Sequence, residues 1–149
     1  MARNSTTVNA PPQIVFDVLA DPCAYEHWVV GNKAVRHFDD AWPAPGAEFH
    51  HTVGFGPVAT KDKTTVVEAE PARRLVLEAR AMPVGIARVT LLLEPDGAGT
   101  RLTIDEVAEG GPARRVWNPL LDRLTWLRNI ESLRRLKRLA EQRAGGARP

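Results

Sequence analysis

Apolar and polar positions alternate through the middle of the chain and change period near its end. A two-residue period runs through 47–53, 58–70, 74–81, 85–94 and 100–107, the pattern of strands with one buried face. Turn-formers separate these runs: Gly54-Phe-Gly-Pro57, Pro71-Ala-Arg73, residues 82–85, and Pro95-Asp-Gly-Ala-Gly99 as a hairpin loop. Beyond Gly110-Gly111-Pro112 the period lengthens. Val116, Leu120, Leu124, Leu127, Ile130, Leu133, Leu136 and Leu139 recur at spacings of three and four, which predicts a helix to about Arg143 with one buried stripe. Asn118-Pro119 interrupts it. An interior proline costs ~3 kcal/mol, whereas Asn is a good N-cap and Pro a good first residue. The expectation is a short turn from Pro112 and a main helix restarting at Pro119.

The first 46 residues hold shorter elements. Residues 5–9 read as an edge strand. Pro11-Pro12 opens a helix through Leu19, with Ile14, Val15, Val18 and Leu19 on its apolar face. Asp21-Pro22 stops it, and Asp21 can cap a second short helix to about residue 26. Residues 33–38 form a candidate strand, and 39–46, with Pro43, Pro45 and Gly46, a loop.

The last hairpin yields a register. If Leu93 faces Leu102, then Leu91 faces Ile104 and Val89 faces Glu106, so these residues share one face. Arg88, Thr90, Arg101, Thr103 and Asp105 fall on the other, wet face. One dry and one wet face define an antiparallel sheet covered on a single side, and the long helix is the cover. The predicted fold class is α+β: a curved seven-stranded antiparallel sheet wrapped around a long C-terminal helix, with two short helices between strands 1 and 2. Residues 1–144 make a single domain and 145–149 a flexible tail. Such a grip leaves space between helix and sheet, where an apolar ligand site belongs.

Composition narrows this little. The 149 residues suit one domain, and 44% apolar with 26% charged residues is ordinary for a globular protein. Charge is uneven: residues 112–143 carry nine Arg or Lys against three Asp or Glu, and the rest eleven against fifteen. A basic solvated helix face explains this most simply, and a membrane surface or nucleic acid less so. No aromatic residue interleaves with the basic ones from Arg134 on, so nucleic acid is not expected. A single cysteine, Cys23, rules out an internal disulfide and reads as a structural thiol. No apolar run is long enough to span a membrane, and Met1 to Thr7 lacks a signal peptide's apolar stretch, so a cytoplasmic location is expected.

Candidate chemistry is sparse. His50 and His51 are adjacent on a strand and point to opposite faces; His51, in phase with Phe49 and Val53, is the candidate for the interior and for a general base. Which of the two faces inward stays open. Glu106 is in phase with Leu102 and Ile104. A carboxylate in such surroundings donates as the acid or pairs with a basic residue. Asp62 and Thr64 are candidates for a polar cluster, and Arg128 and Asn129, interrupting the apolar stripe, either bond inward or face water. No metal site and no cofactor are expected: His27 and His37 lack ligand spacing, and there is no phosphate loop, dinucleotide fingerprint or G-x-S-x-G.

Several stretches together carry a resemblance. They are Val8-Asn-Ala-Pro-Pro-Gln-Ile-Val-Phe16, Leu19-Ala-Asp-Pro22 with Tyr25 and Trp28, Glu70-Pro-Ala-Arg-Arg-Leu-Val-Leu77, Leu93-Glu-Pro-Asp-Gly-Ala-Gly-Thr-Arg-Leu102 and Ser132-Leu-Arg-Arg-Leu-Lys-Arg-Leu139. The chain resembles the SRPBCC, START-like helix-grip superfamily, and within it the bacterial polyketide cyclase/dehydrase-like proteins. The resemblance implies an internal cavity for a small hydrophobic or amphiphilic molecule that is lipid-, aromatic- or polyketide-like. Expected lining residues are Tyr25 and Trp28 at the mouth and Phe49, Leu77, Val89, Leu91 and Ile104 from the sheet. Trp117, Leu120 and Leu124 are expected from the helix, with Trp117 as part of a lid and 124–136 as the anchor. Three readings stay open: a binding protein, an aromatase/cyclase-type enzyme using Glu106 or His51 on a poly-ketone, and an interaction module, a homodimer included.

Overall fold

The computed structural model describes residues 2–28, 32–55, 58–81, 85–110 and 119–146. Their elements are β1 (Ala2–Val8), α1 (Pro12–Leu19), a 3-10 turn (Pro22–Ala24), α2 (Tyr25–Trp28), β2 (Asn32–Phe38), β3 (Glu48–Phe55), β4 (Val58–Glu70), β5 (Arg74–Ala81), β6 (Gly85–Asp96), β7 (Gly99–Gly110) and α3 (Pro119–Gly146). The strands form one antiparallel sheet in the order β1-β7-β6-β5-β4-β3-β2. β1 therefore crosses to pair with β7, and the short helices span the excursion. This is an α+β, helix-grip-like fold.

Local chemistry explains most boundaries. Pro12 starts α1 where its missing N–H costs nothing, and the helix buries Val15, Phe16, Val18 and Leu19. Asp21 Oδ1 accepts from the Cys23 amide at 3.0 Å, capping the turn that leads into α2. Cys23 itself is exposed, so it is not the structural thiol that the sequence suggested. α3 starts at Pro119, as the Asn-Pro pair requires. The expected turn from Pro112 lies outside the described residues, as does much of the Gly54–Pro57 turn.

The last hairpin has the expected register: Leu93 opposite Leu102, Leu91 opposite Ile104 and Val89 opposite Glu106. Its loop is shorter than expected. Pro95 pairs with Thr100 and Asp96 with Gly99, leaving Gly97-Ala98 as a two-residue turn. Gly97 takes φ +60, the backbone state that tight hairpins demand. Gly99 answers a different need: a Cβ there would lie 2.5 Å from the Val8 carbonyl oxygen. The wet face is also not wholly wet. Thr103 and Val76 are buried on it, because small side chains in the middle of a pleated sheet are shaded by longer neighbours.

The core joins α1, the inner sheet face and α3. From the sheet come Val8, Phe49, Val66, Leu75, Leu77, Leu91, Leu93, Leu102 and Ile104. From α3 come only Leu133, Leu136, Ala140 and Ala144, with Asn129 and Ser132 buried beside them. The expected stripe thus fails in its front half: Leu124 is 53% and Leu127 49% exposed, and neither anchors the grip.

The reason is geometric. Leu124, Leu127, Ile130, Leu133, Leu136 and Leu139 are joined by five successive steps of three. At about 100° per residue each such step falls short of a turn by about 60°, so the series winds about 300° around the helix. The residues that are buried, at 129, 132, 133, 136, 140 and 144, share an arc of about 120°. They include Asn, Ser and Ala, which an apolar count passes over. The helix also runs on to Gly146, past the expected tail boundary, because Ala144 is buried and Arg143 bonds Asp21 at 2.7 Å.

Candidate functional site

One end of the inner sheet face, around Leu75, Leu91, Leu93 and Leu102, is apolar and closed. Elsewhere the inner face is mixed. α2 brings Tyr25 and Trp28, the loop before β3 brings Trp42, and β3 brings Phe49. All four are buried and their rings touch. Tyr25 lies 4.9 Å from Trp28 and 4.6 Å from Phe49, centroid to centroid, and Trp42 stands edge-on to Phe49 at 4.8 Å. Such tilted and edge-to-face pairs suit ring quadrupoles.

The polar atoms of this cluster are less well served. Tyr25 Oη, Trp28 Nε1 and Trp42 Nε1 are buried with no hydrogen-bond partner among the described residues. A buried donor left unmade costs about 1–3 kcal/mol. Burial pushes the Tyr25 phenol up, so it stays a neutral donor. Trp42 was missed from sequence. Its signal was an aromatic residue held in a stiff Trp-Pro-Ala-Pro stretch, which reads as loop and so draws no attention as core.

Beside the rings, Asp62 and Thr64 on β4 are buried on the same face as Val66. Thr64 pairs with Phe49 and Asp62 with His51 in the β3–β4 register. The His51 side chain lies outside the description. His50, its neighbour, is half-buried, and His27 is exposed.

Separately, an ion pair crosses the grip. Glu106, on β7, is 7% exposed. Arg128 on α3 donates through Nη2 to both its carboxylate oxygens, at 2.7 and 2.5 Å, and to Asn129 Oδ1 at 3.2 Å. The charge in the interior thus has its counter-charge, and Arg128 is the residue that bonds inward while remaining partly wet. Asn129 is fully buried, and its Nδ2 has no partner among the described residues. Asn4 of β1 donates to the Trp126 carbonyl at 3.2 Å, a second stitch to the front half of α3.

The other predicted positions divide. Leu77, Leu91 and Ile104 are buried and Val89 is partly buried against the core. Leu124 is exposed and lines no enclosed wall. Trp117 and the Leu120 side chain lie outside the description. Among the described residues no group of three His, Cys, Asp or Glu side chains is placed to hold a metal ion. No helix among them is long and apolar enough to cross a membrane.

A sheet gripping one long helix, with an aromatic cluster and a buried ion pair inside the grip, defines a helix-grip protein. The chain belongs to the polyketide cyclase/dehydrase and lipid transport family, which it matches over residues 2–141. Among solved structures it is similar to a protein of Chromobacterium violaceum at 23% identity, with a TM-score of 0.72 over 93% of this chain and 96% of that one. It is also similar to DynU16, from the dynemicin biosynthetic locus, at 25% identity and a TM-score of 0.66, over 94% of this chain and 46% of that one. A third match is the di-domain aromatase/cyclase StfQ of the steffimycin pathway, at 16% identity and a TM-score of 0.73, over 96% of this chain and 51% of that one. A search of curated protein sequences finds no match.

Proposed function

We propose that this protein binds a small amphiphilic molecule, lipid-, aromatic- or polyketide-like, between α3 and the inner sheet face. One observation carries the reading: four buried donors of the interior, Tyr25 Oη, Trp28 Nε1, Trp42 Nε1 and Asn129 Nδ2, have no partner among the described residues. Native proteins leave few such groups unmet, and a ligand with acceptor oxygens on an apolar frame would satisfy them. The family's coupling of cyclase and lipid-transport proteins agrees with this chemistry. Native mass spectrometry of the freshly purified protein tests it. The expected result is an adduct of a few hundred daltons, on the order of a small-ligand site, lost on denaturation. A ligand-free spectrum together with no quenching of tryptophan fluorescence by 1-naphthol would overturn it.

A second reading, an aromatase/cyclase-type enzyme, is favoured by Glu106, Arg128 and Asn129 standing together across the grip. In it Arg128 donates to a ketone oxygen of the substrate and the Glu106 carboxylate takes the proton from the neighbouring carbon, with His51 as the other proton carrier. The resemblance to StfQ points the same way. Turnover of a poly-ketone that disappears in Glu106→Gln while binding persists is its expected signature. Equal turnover in Glu106→Gln would remove that residue from the reaction.

A further inference from the structure

At the open edge of the grip, where β1 borders the sheet, a groove of about 330 Å³ runs between β1 and the back half of α3. Asn4, Ser5 and Thr6 form one wall, and Ile130, Leu133, Arg134 and Lys137 the other. Asn4 is the one residue it shares with the stitching of the front of α3.

Three features give it the character of a site. The first is an unmet acceptor. Asn4 is only 7% exposed; its Nδ2 is committed to the Trp126 carbonyl, which fixes the amide's orientation, and its Oδ1 has no partner among the described residues. The second is cationic capacity. Lys137 Nζ donates to the Thr7 carbonyl at 2.8 Å, which occupies one of its three N–H bonds. Arg134 makes one contact of 3.3 Å to Glu131, and that carboxylate is shared with Arg135 at 3.1 Å. One acid between two guanidiniums leaves positive charge at the groove. The third is the free strand edge. The Thr7 carbonyl points to Lys137, and strand periodicity then directs the backbone N–H and C=O of Ser5 to the same side. Ile130 and Leu133 supply an apolar floor.

We infer that this groove binds a small organic anion: a carboxylate held by Arg134 and Lys137, a short apolar or aromatic body over Ile130 and Leu133, and an O–H or N–H group given to Asn4 Oδ1. Because its walls belong to two elements, the bound anion ties the edge strand to the helix.

The test is a titration of the isotope-labelled protein with 4-hydroxybenzoate, followed by amide chemical shifts. The expected result is saturable shifts at Ser5, Thr6, Ile130 and Arg134. Arg134 is exposed, so Arg134→Glu keeps the fold, and it should weaken these shifts roughly tenfold, the size of one charge-assisted hydrogen bond. Benzoate, which lacks the donor for Asn4, should bind several-fold more weakly. Shifts confined to Tyr25 and Phe49 would support the interior site and overturn the groove. Equal affinity in Arg134→Glu, or no saturable shift, would overturn it as well.

Discussion

The two halves of α3 are the same helix under two different regimes. Behind Ile130, its buried arc of Leu133, Leu136, Ala140 and Ala144 lies against the sheet and α1. Ahead of Asn129, Leu124, Trp126 and Leu127 are exposed, and the helix is held by polar stitches, Arg128 to Glu106 and Asn4 to the Trp126 carbonyl. The back half is fixed by contact area, which is non-directional and strong in sum. The front half is fixed by a few directed bonds, which a ligand with the right groups can replace. A grip built this way keeps its fold while its front wall exchanges partners.

Substitutions should separate the two regimes sharply. Leu136→Ala, in the fully buried arc, should cost about 3 kcal/mol and lower Tm by roughly 10 °C. Leu127→Ala, in the exposed front, should change stability by less than about 0.5 kcal/mol, both variants being measured by urea titration. Equal losses would mean that the front half is packed after all. Gly99→Ala probes the closed end of the sheet, where the new Cβ meets the Val8 carbonyl. About 2 kcal/mol is expected from displacing β1, with the interior site's affinity unchanged.

Arg128→Leu attacks the front stitch. It strands the Glu106 carboxylate, for a loss of roughly 1–2 kcal/mol, and adding Glu106→Gln should return most of it. A double-mutant cycle reads the coupling; additive losses would show that the ion pair contributes nothing.

Smaller effects come from titration. Tyr25 is the single tyrosine, so tyrosinate absorbance reports it alone. Its phenol is pushed up by burial, so above its ordinary value of 10.0 the unfolded chain loses a proton that the folded one keeps. Stability should therefore be complete below that value and fall as pH rises beyond it, and Tyr25→Phe should remove that part of the fall. The smallest effect belongs to Glu48. A hydrogen bond from Lys63, 2.8 Å away, holds its carboxyl below the ordinary 4.5. The contribution is present above that value and lost as pH falls through it, and in this half-exposed pair it is worth about 0.5 kcal/mol or less. Lys63→Ala should remove most of it, with the Thr65 hydrogen bond keeping a smaller share.

The fold was legible because its signals are local and redundant. Alternation marked the strands, Pro12 and Pro119 the helix starts, and Asp21 the cap, and one hairpin's pairing fixed the register from Val89 to Leu102. The long helix was misread where counting apolar residues replaced tracking their angle. Leu124 and Leu127 belong to a run of threes that winds off the buried arc, while Asn129, Ser132 and Ala140 lie in it. Site chemistry was half legible. Glu106 stood out by its phase, but its partner Arg128 is 22 residues away on another element, and sequence spacing holds no trace of that meeting. Trp42 joins its cluster from a proline-rich loop, where no periodicity exists to read.

The account rests on the front of the grip being the ligand's wall and the back its anchor. Amide hydrogen exchange with and without saturating 1-naphthol tests this directly. The prediction is slowed exchange in Tyr25–Trp28, in the β3–β4 pair around Phe49 and Thr64, and in α3 ahead of Asn129, with α3 behind Ile130 slow in both states. Protection confined to the back of α3, or none anywhere, would contradict it.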